Sequence, residues 1–287
     1  MVITKIVRIV SLALRGGLIR ELKNKHRIRS GIPRILLKRP APKYSLSWSV
    51  RRINTLLKIA GPGSRYLEIG VLYGHTLEHI GSKDKTAVDP NPLFDLEKLP
   101  RRIMVHKTTS DSFFPSSKQW DVIFVDGLHN FHTAYRDTLN SLRSLDKGGV
   151  VLLDDSIPSD EASALPDPIE STKLRKQLNL YSHGSPWHGD VYKVVLALNE
   201  FHLTHIEFMT IENSGNAQTL VWFRAGFGPK DVINAEEEAL EPISKLNYSQ
   251  VFSNGIPDSF NVCSEQDAIS SYERARRRTI DRLTYDM

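Results

Sequence analysis

The chain has 287 residues, 40% apolar and 25% charged, an ordinary globular composition with length for one large domain plus additions. Its single cysteine, Cys263, excludes an intramolecular disulfide, and no group of Cys and His stands at the spacing of a structural zinc site. The net charge of +5 is uneven: residues 1–43 hold twelve Lys or Arg against Glu21 alone, so the remainder carries −6. A basic arm on a mildly acidic body points to a local anionic partner such as a membrane surface, and away from specific nucleic-acid binding.

In the arm, Ile9 to Leu14 is far too short to cross a bilayer, which takes about 20 apolar residues. On a helical wheel Lys5, Arg8, Arg15, Arg20 and Lys23 share one face, with Ile3, Ile6, Val7, Val10, Leu14 and Leu18 opposite. Residues 1–23 therefore read as an interfacial helix on an anionic membrane. A helix packed on the main domain or a partner subunit, and a cleaved targeting peptide, are the alternatives. Residues 24–45, with Pro33, Pro40 and Pro42, read as a linker. The division expected is an arm and linker over 1–45, a main domain over 46–227 and a helical extension over 228–287.

From Trp48 the pattern is regular. An amphipathic helix to Ala60 and a Gly61-Pro62-Gly63 break lead into a strand at Tyr66–Ile69. Further strands are expected at Thr86–Asp89, Ile103–His106, Trp120–Asp126, Gly149–Asp154, His205–Met209 and Thr219–Arg224. Between them, His129–Leu145 reads as the clearest helix, with Phe131, Ala134, Tyr135, Leu139 and Leu142 on one face. Residues 158–186 read as irregular, and a helix is expected over Asp190–Phe201. Val-, Ile- and Leu-rich strands alternating with helices predict an α/β, doubly wound, mostly parallel seven-stranded Rossmann-like sheet.

Ligands of such sheets sit at the carboxyl ends of the strands. The first strand runs into Glu68-Ile-Gly70-Val-Leu-Tyr-Gly74, whose glycines permit a close backbone approach at a helix start. Asp89 follows Glu68 by 21 residues, the spacing of an acid that accepts ribose hydroxyls. No Gly-x-Gly-x-x-Gly is present. An acid at Glu68 disfavours a pyrophosphate and suits a cationic, phosphate-free nucleoside such as S-adenosylmethionine.

These residues resemble class I S-adenosylmethionine-dependent methyltransferases, specifically the branch of saccharide and secondary-metabolite pathways. The resemblance spans Trp48 to Arg224 and rests on Tyr66-Leu-Glu68-Ile-Gly70-Val, Ala87-Val-Asp89-Pro90, Thr109-Ser110-Asp111-Ser-Phe113-Phe114, Phe124-Val-Asp126-Gly127-Leu-His129, Gly148-Gly149-Val-Val-Leu-Leu and Trp187-His-Gly189-Asp190-Val-Tyr-Lys193. It implies that Glu68, Gly70 and Gly74 contact the methionine end of the cofactor, Asp89 the ribose and Asp111 the adenine region, with Asp126 beside them. The activity it implies is O-methylation of a sugar, glycoside or glycan hydroxyl. A non-catalytic scaffold with this fold and a nucleotide-dependent oxidoreductase are the alternatives.

Asp126, Asp154 and Asp155 end two strands expected to be neighbours. Three such carboxylates either share protons or hold a divalent cation such as magnesium. Asp155 otherwise orients substrate. His129, expected to open a helix whose N-terminus lowers its pKa, is the candidate general base. His188 and Asp190 are candidates for lining the acceptor pocket or capping a helix. The expected setting is the cytoplasm, with the arm at the inner membrane face and a homo-oligomer as one option.

Overall fold

A computed structural model describes residues 47–100, 102–114, 118–180, 187–212 and 215–285. The arm over 1–45, with its interfacial helix, lies outside the described residues. No helix among them is long and apolar enough to cross a membrane.

The sheet has eight strands in the order β3-β2-β1-β4-β5-β7-β6-β8. They are β1 (Arg65–Ile69), β2 (Asp84–Val88), β3 (Ile103–His106), β4 (Trp120–Val125), β5 (Leu145–Leu153), β6 (Ile206–Ile211), β7 (Gln218–Phe223) and the two-residue β8 (Val262–Cys263). The first five run parallel, while β7 is antiparallel to both β5 and β6. The chain order reverses direction between β1 and β4, which opens a crevice at their carboxyl ends. The seven strands expected from sequence are all present. The eighth is supplied by the C-terminal segment, which pairs β8 with β6.

Alternation along the strands separates two cores. Leu67, Ile69, Ile123, Val125, Val151 and Leu153 pack on one face with helix α4 (Phe131–Arg143) and helix α6 (Tyr192–Phe201). Tyr66, Val122, Phe124, Val150 and Leu152 pack on the other with α1 (Trp48–Ala60) and the last helix, α9 (Glu265–Tyr285). Period-2 burial on both faces makes these strands apolar throughout, and each fully buried aliphatic side chain contributes about 1.5–3 kcal/mol. Two short helices follow strands, α2 (His75–His79) after β1 and α3 (Ser110–Phe113) after β3.

Local capping fixes the helix starts and moves that of α4 from its expected place. Ser47 accepts from the Val50 amide at 3.2 Å to start α1. Asn130 accepts from the Thr133 amide at 3.0 Å, so α4 begins at Phe131 and His129 lies ahead of it. Gly74, at φ 70°, caps α2. The stretch expected to be irregular contains α5 (Pro168–Gln177), capped by Asp167 through the Ile169 and Glu170 amides, with Pro168 at its first turn.

The C-terminal region folds onto the sheet with α7 (Glu237–Ser244), α8 (Tyr248–Phe252) and α9. Tyr272 and Arg276 donate to the Gly148 carbonyl at the start of the apolar run of β5, at 2.9 and 2.7 Å. Arg52 on α1 is 1% exposed and reaches Glu265 on α9 at 2.7 Å.

Candidate active site

The carboxyl ends of β1, β2, β4 and β5 place Glu68, Asp89, Asp126 and Asp154-Asp155 around one crevice. Glu68 is 2% exposed and accepts the Tyr66 hydroxyl at 2.8 Å. Gly70, at φ 84°, lies where a Cβ would stand 2.0 Å from the Asp126 carbonyl oxygen. Its freedom therefore serves the close packing of the β1 and β4 ends. Gly74 meets the Phe94 ring in the same way, at 3.2 Å.

Asp89 organises the loop between β1 and α2. Its Oδ2 accepts the Val71 and Leu72 amides at 3.0 and 2.8 Å, and its Oδ1 accepts the Asn91 amide at 2.7 Å. A carboxylate offers about four acceptor positions, so Oδ1 keeps one for a hydroxyl. Asp111, which the resemblance sets in the adenine region, is exposed and held by Arg136 in a two-point ion pair, at 2.5 and 2.9 Å.

Asp126, His129 and Asp155 form a compact cluster whose ligand atoms all lie within 4.8 Å of one another. His129 Nδ1 donates to the Trp187 carbonyl at 2.8 Å and lies 3.1 Å from Asp155 Oδ2, while Nε2 lies 3.5 Å from Asp126 Oδ1. A carbonyl only accepts, so the neutral ring carries its proton on Nδ1 and keeps the Nε2 lone pair. The ring also stacks on Trp187, with centroids 4.8 Å apart and planes 18° apart.

Burial alone would lower the His129 pKa, but Asp155, Asp126 and the Trp187 carbonyl outweigh it and raise it to about 9. This reverses the expectation of a lowered pKa. The ring sits ahead of the helix, between two carboxylates, where charge pairing overrides any dipole effect.

Asp155 takes a left-handed backbone, φ 58°, unusual for a residue other than glycine and a form of strain found at functional sites. Asp154 holds it there by accepting the Asp155 amide at 2.9 Å, and the same Asp154 oxygen accepts Gln218 Nε2 at 3.1 Å. Asp126, Asp154 and Asp155 line one small pocket together with His129. The tightest group in it is Asp126, His129 and Asp155, while Asp154 also ties the β5 end to β7 through Gln218. Burial, then the nearby Asp126, raises the Asp154 pKa.

His188 lies beside the cluster, 3% exposed, with Nε2 3.8 Å from Asp155 Oδ1. Burial, then the charge on His129, hold its pKa down to about 4. Asp190 is turned elsewhere. Its Oδ1 accepts the Phe131 amide at 2.7 Å, which completes the start of α4, and its Oδ2 pairs with Lys193 at 3.0 Å.

One acid escaped the sequence reading. Asp137 on α4 is 1% exposed and lies under the crevice, where a Cβ on Gly127 would stand 3.4 Å from its Oδ2. Burial raises its pKa to about 6, against a hydrogen bond from Ser110. The available signal was its position one turn after Ala134 and one turn before Ser141, on the buried face.

Among solved structures, the chain is similar to the cofactor-bound protein Rv0187 from MTB (14% identity, 71% of this chain and 95% of that one, TM-score 0.42). It is also similar to the S-adenosylhomocysteine-bound methyltransferase of Podospora anserina (18%, 59% and 76%, 0.43) and to the Bacillus cereus O-methyltransferase in complex with S-adenosylhomocysteine (14%, 63% and 83%, 0.39). These likenesses are distant, and the fold rests on the strand order above. No curated protein sequence matches the chain. A family model described as a methyltransferase domain matches residues 67–156, the stretch that supplies Glu68, Asp89, Asp126, His129 and Asp155.

Proposed function

We propose that the protein is an S-adenosylmethionine-dependent O-methyltransferase acting on a hydroxyl of a sugar, glycoside or glycan-type acceptor. The observation that supports this reading best is the Asp126–His129–Asp155 cluster set against the Glu68 and Asp89 strand ends. When bound, S-adenosylmethionine supplies a methyl group made electrophilic by its sulfonium. Carboxylates at Glu68 and Asp126 balance positive charge, and the free position on Asp89 Oδ1 suits a ribose hydroxyl. The donor chemistry fits the group.

His129 takes the acceptor's proton at Nε2, since Nδ1 is committed to Trp187. Asp155 and Asp126 then stabilise the imidazolium, as the pKa of about 9 expresses. Asp155 and Trp187 also fix the ring plane, so the protein's main contribution is orientation. His129 supplies the positive charge between the two carboxylates. Magnesium prefers an all-oxygen set, whereas this cluster centres on an imidazole and Asp154 is engaged with Gln218; turnover without a metal follows.

Residues 1–23 bring the enzyme to an anionic membrane surface, which co-flotation of the full chain, but not of a chain starting at Pro42, with anionic liposomes tests. The activity is tested by transfer of labelled methyl from S-adenosylmethionine to a panel of hydroxyl acceptors. Alkali-stable label on a sugar hydroxyl that disappears in His129→Ala is expected. Label unaffected by that substitution contradicts the assignment.

A further inference from the structure

A cavity of about 390 Å³ opens next to the cluster, between the 157–159 loop, residues 212 and 215–217 that flank β6 and β7, and the C-terminal segment from α8 to Ile256. Its size is that of a small-molecule site. Two of its lining residues touch Asp155: Asn216 Nδ2 donates to Asp155 Oδ1 at 2.9 Å, and His188 Nε2 lies 3.8 Å from the same oxygen. The cavity thus ends at the cluster that holds the proton acceptor.

His188 carries the second observation. Its side chain is 3% exposed, yet its Nδ1 has no hydrogen-bond partner among the described residues. The residue itself lines the cavity, as a polar side chain whose hydrogen-bonding capacity the described residues leave partly unfilled. With its pKa held near 4, the ring is neutral and offers one donor and one acceptor.

The remaining walls define the occupant. Ile157, Pro158, Phe252 and Ile256 give apolar surface, and Tyr248 adds a second aromatic ring from the C-terminal segment, its centroid 5.0 Å from that of Phe252. Among the described lining residues there is no Lys or Arg, and the charged one is Glu212. A phosphate or other anion would enter against the Glu212 carboxylate.

We infer that this cavity is the acceptor site and that it takes an uncharged glycoside-type molecule with a flat apolar portion, excluding phosphorylated acceptors. The inference rests on the O-methyltransferase reading above. The flat portion lies against Tyr248 and Phe252, a hydroxyl lies at the His188 and Asn216 end, and the C-terminal segment is thereby a specificity wall built onto the methyltransferase domain.

The test is binding of 4-methylumbelliferyl glycosides (glucoside, galactoside and rhamnoside) and of the glucoside 6-phosphate to the full-length protein, read by ligand-observed NMR with and without S-adenosylhomocysteine. The expected result is saturable binding of at least one neutral glycoside, about tenfold weaker binding of the phosphate, and a loss of about tenfold in Phe252→Ala that Phe252→Leu largely restores. Glu212→Lys, at an exposed position, should narrow the gap between neutral and phosphorylated ligand. Failure of every neutral glycoside to bind, equal binding of the phosphate, or unchanged affinity in Phe252→Ala overturns the inference. Glycoside binding without S-adenosylhomocysteine binding would overturn the cofactor reading and leave the cavity assignment standing; the reverse pattern would do the opposite.

Discussion

Gly189 packs so closely on His129 that a Cβ on the glycine would stand 1.7 Å from the His129 carbonyl oxygen. The glycine, at φ 62°, thereby joins the 187–190 turn to the residue assigned as base. The His188 and Gly189 amides both donate to the Ser163 carbonyl, at 3.0 and 2.9 Å, and Trp187 Nε1 donates to Leu165 at 2.6 Å. The turn is thus anchored on one side and pressed on His129 on the other.

Gly189→Ala must move backbone on one side of this contact. A displacement of about 1 Å at a reacting group costs about a hundredfold in rate, and a side chain in a left-handed position adds about 1 kcal/mol or more of instability. Turnover should fall at least about a hundredfold, with a small drop in melting temperature. Steady-state kinetics and thermal denaturation measure the two effects, and wild-type turnover would show that the contact is not needed.

The pH dependence follows from His129. Its pKa is raised from 6.5 to about 9, so the imidazolium dominates at neutral pH and the base form grows about tenfold per pH unit. Turnover per KM should rise from pH 7 and level off near pH 9. In Asp155→Asn, which removes the largest factor raising that pKa, the plateau should begin at lower pH and at a lower rate. For stability the sign is opposite: a raised pKa contributes stability fully present below about 6.5 and lost as pH rises through about 9. A flat rate profile over this range would exclude His129 as the base.

Asp154 and Asp155 are adjacent but should respond differently. Asp154→Asn keeps an oxygen that accepts from the Asp155 amide and Gln218, so turnover should stay within about tenfold of wild type. Asp155→Asn should lose about a hundredfold, because the carboxylate partner of His129 is gone. Treatment with a metal chelator should leave the wild-type rate unchanged. Loss of activity on chelation, restored by magnesium, would replace the metal-free reading.

The strand ends were legible in the sequence because their chemistry is local: each apolar run stops at an acid or a glycine, and the parallel sheet sets these stops side by side. The start of α4 was misplaced by two residues, since His129 and Asn130 both suit a helix entrance and only Asn130 reaches the Thr133 amide. The Asp167-Pro168 cap of α5 was present in the sequence but lay in a polar stretch without an apolar face. Other features required tertiary contacts 50 or more residues apart in sequence. They include the Trp187 carbonyl on His129, Asp190 at the start of α4, and Asn216 on Asp155. No local spacing announces such pairings, and they set the His129 pKa and the direction in which Asp190 faces.

The most direct test of the central claim is calorimetric titration of the full-length protein with S-adenosylhomocysteine, beside NAD and beside Asp89→Ala. The account predicts saturable micromolar binding of S-adenosylhomocysteine alone. It also predicts at least about tenfold weaker binding in Asp89→Ala, which loses both the ribose acceptor and the hold on the Val71 and Leu72 amides. No binding of S-adenosylhomocysteine, or preference for NAD, would contradict it.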